Sequence, residues 1–405
     1  MDSWQNEKWW VSPYNYEPEV TRQCKLPSKV MIHDATLRDG EQTPGVVMSV
    51  ADKVEIAQLL DSIGIERIEA GMPAVSEADR QAIKQIAQLG LDAKVYTFAR
   101  GRTDDIDMAV DCGADGVIIE MPTSVPKLKY QFPKWSEQDV IDISLKAVQY
   151  ARQKGLDVVY FGYDTTRADL DFLFRLYDKV IGEGKPDGIG VVDTMGCATP
   201  RAINWLVKTI KSRYDIRVEI HTHNDFGMAV ATSMAAVEAG AEVVHTCING
   251  LGERTGNAAL EPVLVALQTM YGLGGRYRLD QLKKCSDRVE QISKITKPVN
   301  QPFVGRNVYV RESGIGIDLV EEKPLAMFAV SPRLTGNESG VVLGKKSGLR
   351  SIEVTLDRLG IQRPDETIMR DILNDVKNYS IEHGALVSDE VFLGIYDRNV
   401  GRKPE

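Results

Sequence analysis
The chain has no CxxC pair, no apolar run long enough to cross a bilayer, no GxGxxG after its first β-like segment and no basic stripe. Each absence excludes something. Five cysteines, at 24, 112, 197, 247 and 285, lie scattered, which argues against a disulfide framework or a cysteine-built structural zinc site. The reducing cytoplasm is then the expected compartment. Without a long apolar run there is no membrane partner to expect. The opening segment, MDSWQNEKWWVSPYNYEPEV, lacks the basic start and leucine-rich core of a secretory signal. The missing glycine fingerprint counts against a dinucleotide fold. A net charge of −9 speaks against a nucleic acid partner, so anionic small substrates need local positive charge from arginines and a metal.

What is present is a repeat. A β-like run followed by a helix-like pattern recurs eight times: 30–33, 66–71, 93–98, 116–120, 157–162, 188–193, 217–221 and 242–247. Between the runs lie stretches such as VEIAQLLDSIG and MAVATSMAAVEAG, each ending in glycine, a common helix stop. Eight βα units in about 250 residues predict an α/β fold, a (β/α)8 TIM barrel. The rival is a doubly wound open sheet. Residues 29–280 are assigned to the barrel, 1–28 to an aromatic N-terminal arm packing on the barrel or on a partner, and 281–405 to a C-terminal linker and small helical region. Chemistry in such barrels gathers at the C-terminal strand ends. There the sequence places Arg38, Asp39, Gln42, Glu69, Arg100, Glu120, Asp164, Asp193, Thr194, His221, His223, Asn249, Glu253, Arg254 and Asn257.

HTHND, at 221–225, is the sharpest local signal. Residues two apart on a strand share a face, so His221 and His223 can grip one cation. Asp39 offers an oxygen ligand from the first strand end, with Arg38 as a fixed positive charge beside it. Asp225 can orient a ligand. His33 and His245 read as hydrogen-bonded polar groups rather than ligands, His383 as a surface residue, and Cys197 and Cys247 as packing residues. Glu69 and Arg100 read equally as substrate contacts or as structural partners of one another or of Arg38.

DATLRDGEQTPG, IEAGMPAVS, DTMGCATP, HTHNDFGMAVATSMAAVEAGA and INGLGERTGNAALE, in that order, resemble the 2-isopropylmalate, homocitrate and citramalate synthases, metal-dependent enzymes built on a TIM barrel. The resemblance covers about 29–275 and continues more weakly through VGRNVYVRESGIG and VLGKKSGLRSI. It implies that Asp39, His221, His223 and Asn257 hold one divalent metal ion, with Zn, Mn, Co and Mg all suited to such N/O ligation. It also implies that Arg38 contacts the substrate carbonyl oxygen, that Thr194 binds the carboxylate of a 2-oxo acid, that Gln42 lies near the metal and that the 252–257 loop covers the site. The implied reaction condenses an acyl-CoA, acetyl-CoA first, with a 2-oxo acid, and the implied assembly is a homodimer.

Four positions depart from that pattern. Tyr163 stands where the synthases carry a glutamate after the fifth strand. Arg311 and Gly316, in RESGIG, replace two histidines of HESGIH, and Ile118 replaces a histidine on the fourth strand. The groups that enolise the acyl donor are the missing ones, which leaves Glu312, Tyr163, Asp164 or Glu120 to take a proton. The missing histidines also admit a second reading, a metal-dependent carbon–carbon lyase or aldolase. A third, a non-catalytic homologue, is opposed by the intact Arg38–Asp39 pair.

Overall fold
The computed structural model describes residues 3–401. Eight parallel strands close into one barrel in sequence order. They are β1 (Met31–Asp34), β2 (Arg67–Gly71), β3 (Lys94–Arg100), β4 (Gly116–Pro122), β5 (Asp157–Tyr163), β6 (Gly188–Asp193), β7 (Arg217–Thr222) and β8 (Val243–Thr246). Closure is the pairing of Met31, Ile32, His33 and Asp34 with Val243, Val244, His245 and Thr246. That pairing excludes the open doubly wound sheet.

Each strand leads into a helix: α1 (Val50–Ile63), α2 (Glu77–Ala87), α3 (Thr103–Asp111), α4 (Glu137–Gln153), α5 (Leu170–Lys179), α6 (Pro200–Arg213), α7 (Ala229–Glu238) and α8 (Leu260–Thr269). Local chemistry starts and stops them. Ser49 and Asp52 form a reciprocal capping box on α1, as Ser136 and Asp139 do on α4. α1 ends on Gly64 in the left-handed conformation. Among the described residues, no helix is long and apolar enough to cross a membrane.

Two compact units divide the chain, Ser12–Lys297 and a second made of Met1–Val11 with Pro298–Glu405. The barrel unit extends past residue 280 because α9 (Leu282–Ser293) buries Leu282, Cys285 and Val289, and Arg288 clasps Glu55 of α1 through Nε and Nη2, each at 2.7 Å. The aromatic arm is shared out. The Tyr16 hydroxyl donates to the Thr269 carbonyl within the barrel unit. Trp9 and Trp10 pair instead with 329–330 of the second unit, where Trp10 N donates to Ala329 O at 2.8 Å. That unit has its own core, in which Ile352 and Leu356 of α10 (Leu349–Leu359), Ile372 and Val376 of α11 (Glu366–His383), and Phe392 and Ile395 of α12 (Asp389–Val400) are buried together.

The barrel lumen has two unlike halves. Tyr96, Ile118, Val159, Phe161 and Val192, from β3 to β6, form an apolar cluster with Phe98 packed on it. From β7, β8, β1 and β2 come Glu219, His221, His245, His33, Arg67 and Glu69, all buried. Arg67 grips Glu219 through two hydrogen bonds of 2.6 and 3.0 Å, and Arg217 and His245 approach the same carboxylate at 2.9 Å. Burial opposes this charge, but the two arginines and His245 hold Glu219 well below the usual carboxylate range.

Candidate active site
The metal-type residues converge at the mouth of the polar half. Asp39 sits in the turn after β1, His221 near the end of β7 and His223 just beyond it. Their donor atoms draw together: His221 Nε2 lies 3.2 Å from Asp39 Oδ2 and 3.3 Å from His223 Nε2, and His223 Nε2 lies 3.8 Å from Asp39 Oδ2. Nitrogen and oxygen ligands about 2.0–2.1 Å from a tetrahedral ion stand about 3.3–3.4 Å apart. The three donors therefore fit one cation almost without rearrangement. Asp39 Oδ1 and Asn257 Oδ1 are buried with no hydrogen-bond partner, as expected of ligand oxygens. Asn257 bridges to His223, and its amide nitrogen donates to the Leu251 carbonyl at 3.0 Å, which fixes the side chain. A Cβ at Gly252 would collide with that amide, and one at Gly256, where φ is 84°, would strike the Gly250 carbonyl. The loop shape thus depends on both glycines.

Electrostatics set the ligands in the forms a cation needs. Burial works to raise the Asp39 pKa, but Arg38 first, and then the hydrogen bond from His221, outweigh it and hold the carboxylate well below its usual range. Burial, reinforced by His221, pushes the His223 imidazole down to about 4, so it is neutral at pH 7.

Arg38 is held from several sides. Its Nε donates to Glu69 Oε1 at 2.7 Å and Nη2 to Glu69 Oε2 at 3.2 Å, a two-point grip. Nη1 reaches Asp39 Oδ2 at 3.2 Å and donates to Gln42 Oε1 at 3.1 Å, and the guanidinium lies 4.6 Å above the Phe98 ring. Glu69 is buried and braced from below by His33 Nε2 at 3.3 Å. His33 stacks on His245 at 4.2 Å, and each keeps an unpartnered buried Nδ1, so these two histidines are only half satisfied. Burial keeps both well below the usual imidazole pKa.

Arg38, Asp39, Gln42, Thr194, His221 and His223 all line one cavity of about 520 Å³, together with Phe98, Glu120, Phe161 and Tyr163. The Tyr163 hydroxyl accepts from Lys127 Nζ at 2.6 Å. Thr194 Oγ1 accepts from the Asp164 backbone at 2.9 Å. Other expected residues face elsewhere. Arg100 forms a two-point pair with Asp105, both bonds 2.8 Å, and does not line the cavity. Asp164 is buried and taken up by Arg167 and Ser124, both at 2.6 Å. Asp225 pairs with Arg254 at 2.9 Å. Glu312 belongs to the second unit, where its carboxylate accepts from the Lys346 backbone at 2.9 Å.

Sequence reasoning passed over Glu219 and Lys127. Glu219 was detectable: Arg217, Glu219, His221 and His223 alternate along β7, so a two-residue period carries the polar face down from the HxH pair. Lys127 has no such signal, because it opens a short π-helical turn, Lys127–Gln131, after β4.

A family model described as HMGL-like matches residues 29–289. The chain is 39% identical over 388 residues to homocitrate synthase AksA of Methanothermobacter thermautotrophicus, covering 96% of this chain and 97% of that one. It is 41% identical over 353 residues to the 2-isopropylmalate synthase of Methanocaldococcus jannaschii, 86% of this chain and 68% of that one. In fold it is similar to hydroxymethylglutaryl-CoA lyase from Pseudomonas aeruginosa, with a TM-score of 0.60 and 22% identity over 67% of this chain and 95% of the lyase. The matched span holds the whole barrel and every cavity residue named above, and the chain therefore belongs to the HMGL-like family, where it is an enzyme standing among the synthases.

Proposed function
We propose that the protein condenses an acyl-CoA, acetyl-CoA first among them, with a 2-oxo acid to give a 2-alkylmalate-type product. The observation that carries this reading is the packing of three ligand-type atoms within 3.8 Å of one another beside a fixed arginine in one cavity. Asp39, His221, His223 and Asn257 hold one divalent ion, Zn, Mn, Co or Mg. When bound, that ion supplies Lewis acidity to the oxo group of the acceptor. Arg38 faces the same oxygen and stabilises the negative charge that develops on it. One preorganised donor of this kind is worth about 3–4 kcal/mol of barrier. Glu69 and Gln42 keep the guanidinium from turning away. Thr194 receives the acceptor carboxylate on the β6 side. Water then cleaves the thioester, releasing the thiol and the product carboxylate.

The relatives named for homocitrate and for 2-isopropylmalate match at nearly equal identity, so overall similarity does not choose the acceptor. Thiol release from acetyl-CoA over a panel of 2-oxo acids tests the reading, with metal added and with metal chelated. Release that depends on both acceptor and metal supports it. Product formed from hydroxy acids or their thioesters without thiol release sinks it in favour of a lyase. A homodimer in the cytoplasm completes the proposal. Light scattering on the purified chain and fractionation of the source cells test those two points.

A further inference from the structure
The reaction just proposed needs a group that takes a proton from the acyl methyl carbon. The carboxylates on the cavity wall are Asp39, Glu41, Asp79, Glu120 and Glu253. Four of them are engaged. Asp39 meets Arg38 and the two histidines. Glu41 and Asp79 share the buried ammonium of Lys53, each at 2.6 Å. Glu253 pairs with Arg254 at 3.5 Å. Among the described residues, Glu120, half-buried on that wall, has no hydrogen-bond or ion-pair partner within the protein.

Its place in the barrel suits proton transfer. Glu120 is in register with Phe161 of β5, and Pro122, two residues on, is in register with Tyr163. It therefore stands on the strand beside the one that carries Tyr163, with the Phe98 and Phe161 rings lining the same cavity. Tyr163 is a poorer candidate, because its hydroxyl oxygen already accepts from Lys127 at 2.6 Å. A carboxylate left unpaired in a partly apolar cavity carries a cost in stability, which proteins tolerate mainly where the group works.

We propose that Glu120 is the catalytic base that enolises the acyl donor, a deepening of the condensing reaction above and resting on it. Its carboxylate takes one proton from the acyl methyl group, and the C–H pair becomes the enolate. The enolate carbon bonds to the oxo carbon of the acceptor. The carbonyl π pair moves to oxygen next to Arg38, and that oxygen then takes up a proton while Glu120 gives its own back to solvent. Protons balance over the cycle. Burial raises the basicity of Glu120, and Asp39 and Glu69 add to the effect against Arg38 and Lys127, so its pKa rises to about 8, near the pH at which such a base is most effective.

The experiment uses the full chain in D2O with Mn2+, acetyl-CoA and a 2-oxo acid, reading deuterium wash-in to the acetyl methyl group by mass spectrometry beside thiol release. Glu120→Gln is expected to lower wash-in and kcat by at least about 100-fold. Its Mn2+ titration and the KM of the acceptor should stay within a few-fold of wild type, and Glu120→Asp should recover part of the loss. Wash-in that persists in a folded Glu120→Gln enzyme overturns the assignment, as does an unchanged kcat with a raised KM, which would make the residue a reader of the acceptor side chain. If Glu120→Gln fails to fold, Glu120→Asp decides: wild-type wash-in overturns the proposal and a reduced rate supports it. Wild-type wash-in without thiol release, lost in Glu120→Gln, keeps the base and removes the condensing reading. Neither signal in the wild type overturns both.

Discussion
The two halves of the barrel lumen use the same backbone positions in opposite ways. From β3 to β6 the inward positions carry Tyr96, Ile118, Val159, Phe161 and Val192, which pack without charge. From β7 round to β2 they carry Glu219, His221, His245, His33, Arg67 and Glu69. Packing alone does not require the second set, since a purely apolar filling of similar volume is often as stable as buried ion pairs. The polar half lies under Arg38 and the Asp39–His221–His223 group, and its contacts lead to them: His33 braces Glu69, and Glu69 grips Arg38. One half supplies cohesion and the wall of the cavity, and the other holds charges still.

The comparison breaks at its strongest point if the cation site can be dismantled without loss. Asp39→Ala is expected to abolish thiol release and the high-affinity Mn2+ titration, and added metal should restore chelated wild type but not the variant. Arg38→Gln should cost about 100–1000-fold in kcat while leaving the metal titration nearly unchanged. A variant within tenfold of wild type would separate the arginine from the reaction.

Stability sharpens the contrast next. Glu219→Gln leaves Arg67 and Arg217 without their shared anion and should destabilise the fold by about 3–5 kcal/mol in denaturant titration. Ile118→Val, in the apolar half, should cost only about 0.5–1.5 kcal/mol. Similar costs for the two would erase the distinction.

Glu120 supplies a test by pH on metal-free protein. Its folded pKa is raised from 4.5 to about 8. Between those values the native state keeps a proton that the unfolded chain has released, so its contribution to stability falls as pH rises through that window. Glu120→Gln lacks this dependence, and its Tm relative to wild type should climb from pH 4.5 to pH 8. A constant difference across that range would refute the raised pKa. The smallest effect is expected at Arg102→Ala, whose side chain is 59% exposed and pairs with Asp104, itself 52% exposed. No measurable loss in denaturant titration is anticipated.

Much of this was legible along the chain because it is local. Each β-run of the repeat lies within a barrel strand or overlaps one, and the HxH spacing put His221 and His223 on one face. Orientation between strands was less legible. Glu69 and Arg100 looked equivalent in sequence, each at a strand end, yet one clasps Arg38 and the other Asp105. The aromatic arm read as one element, but its first residues pair with a segment more than 300 positions away.

By itself the sequence determined the eightfold βα rhythm, the barrel class, the family and the residue types at the strand ends, because periodicity and motif order survive without coordinates. Only the tertiary structure decided which donors meet within 3.8 Å, which carboxylate on the cavity wall stays unpaired and which arginine faces the cavity. The reason is that a charged side chain chooses its partner across strands and loops, by distance and burial, and neither quantity is written in the order of residues.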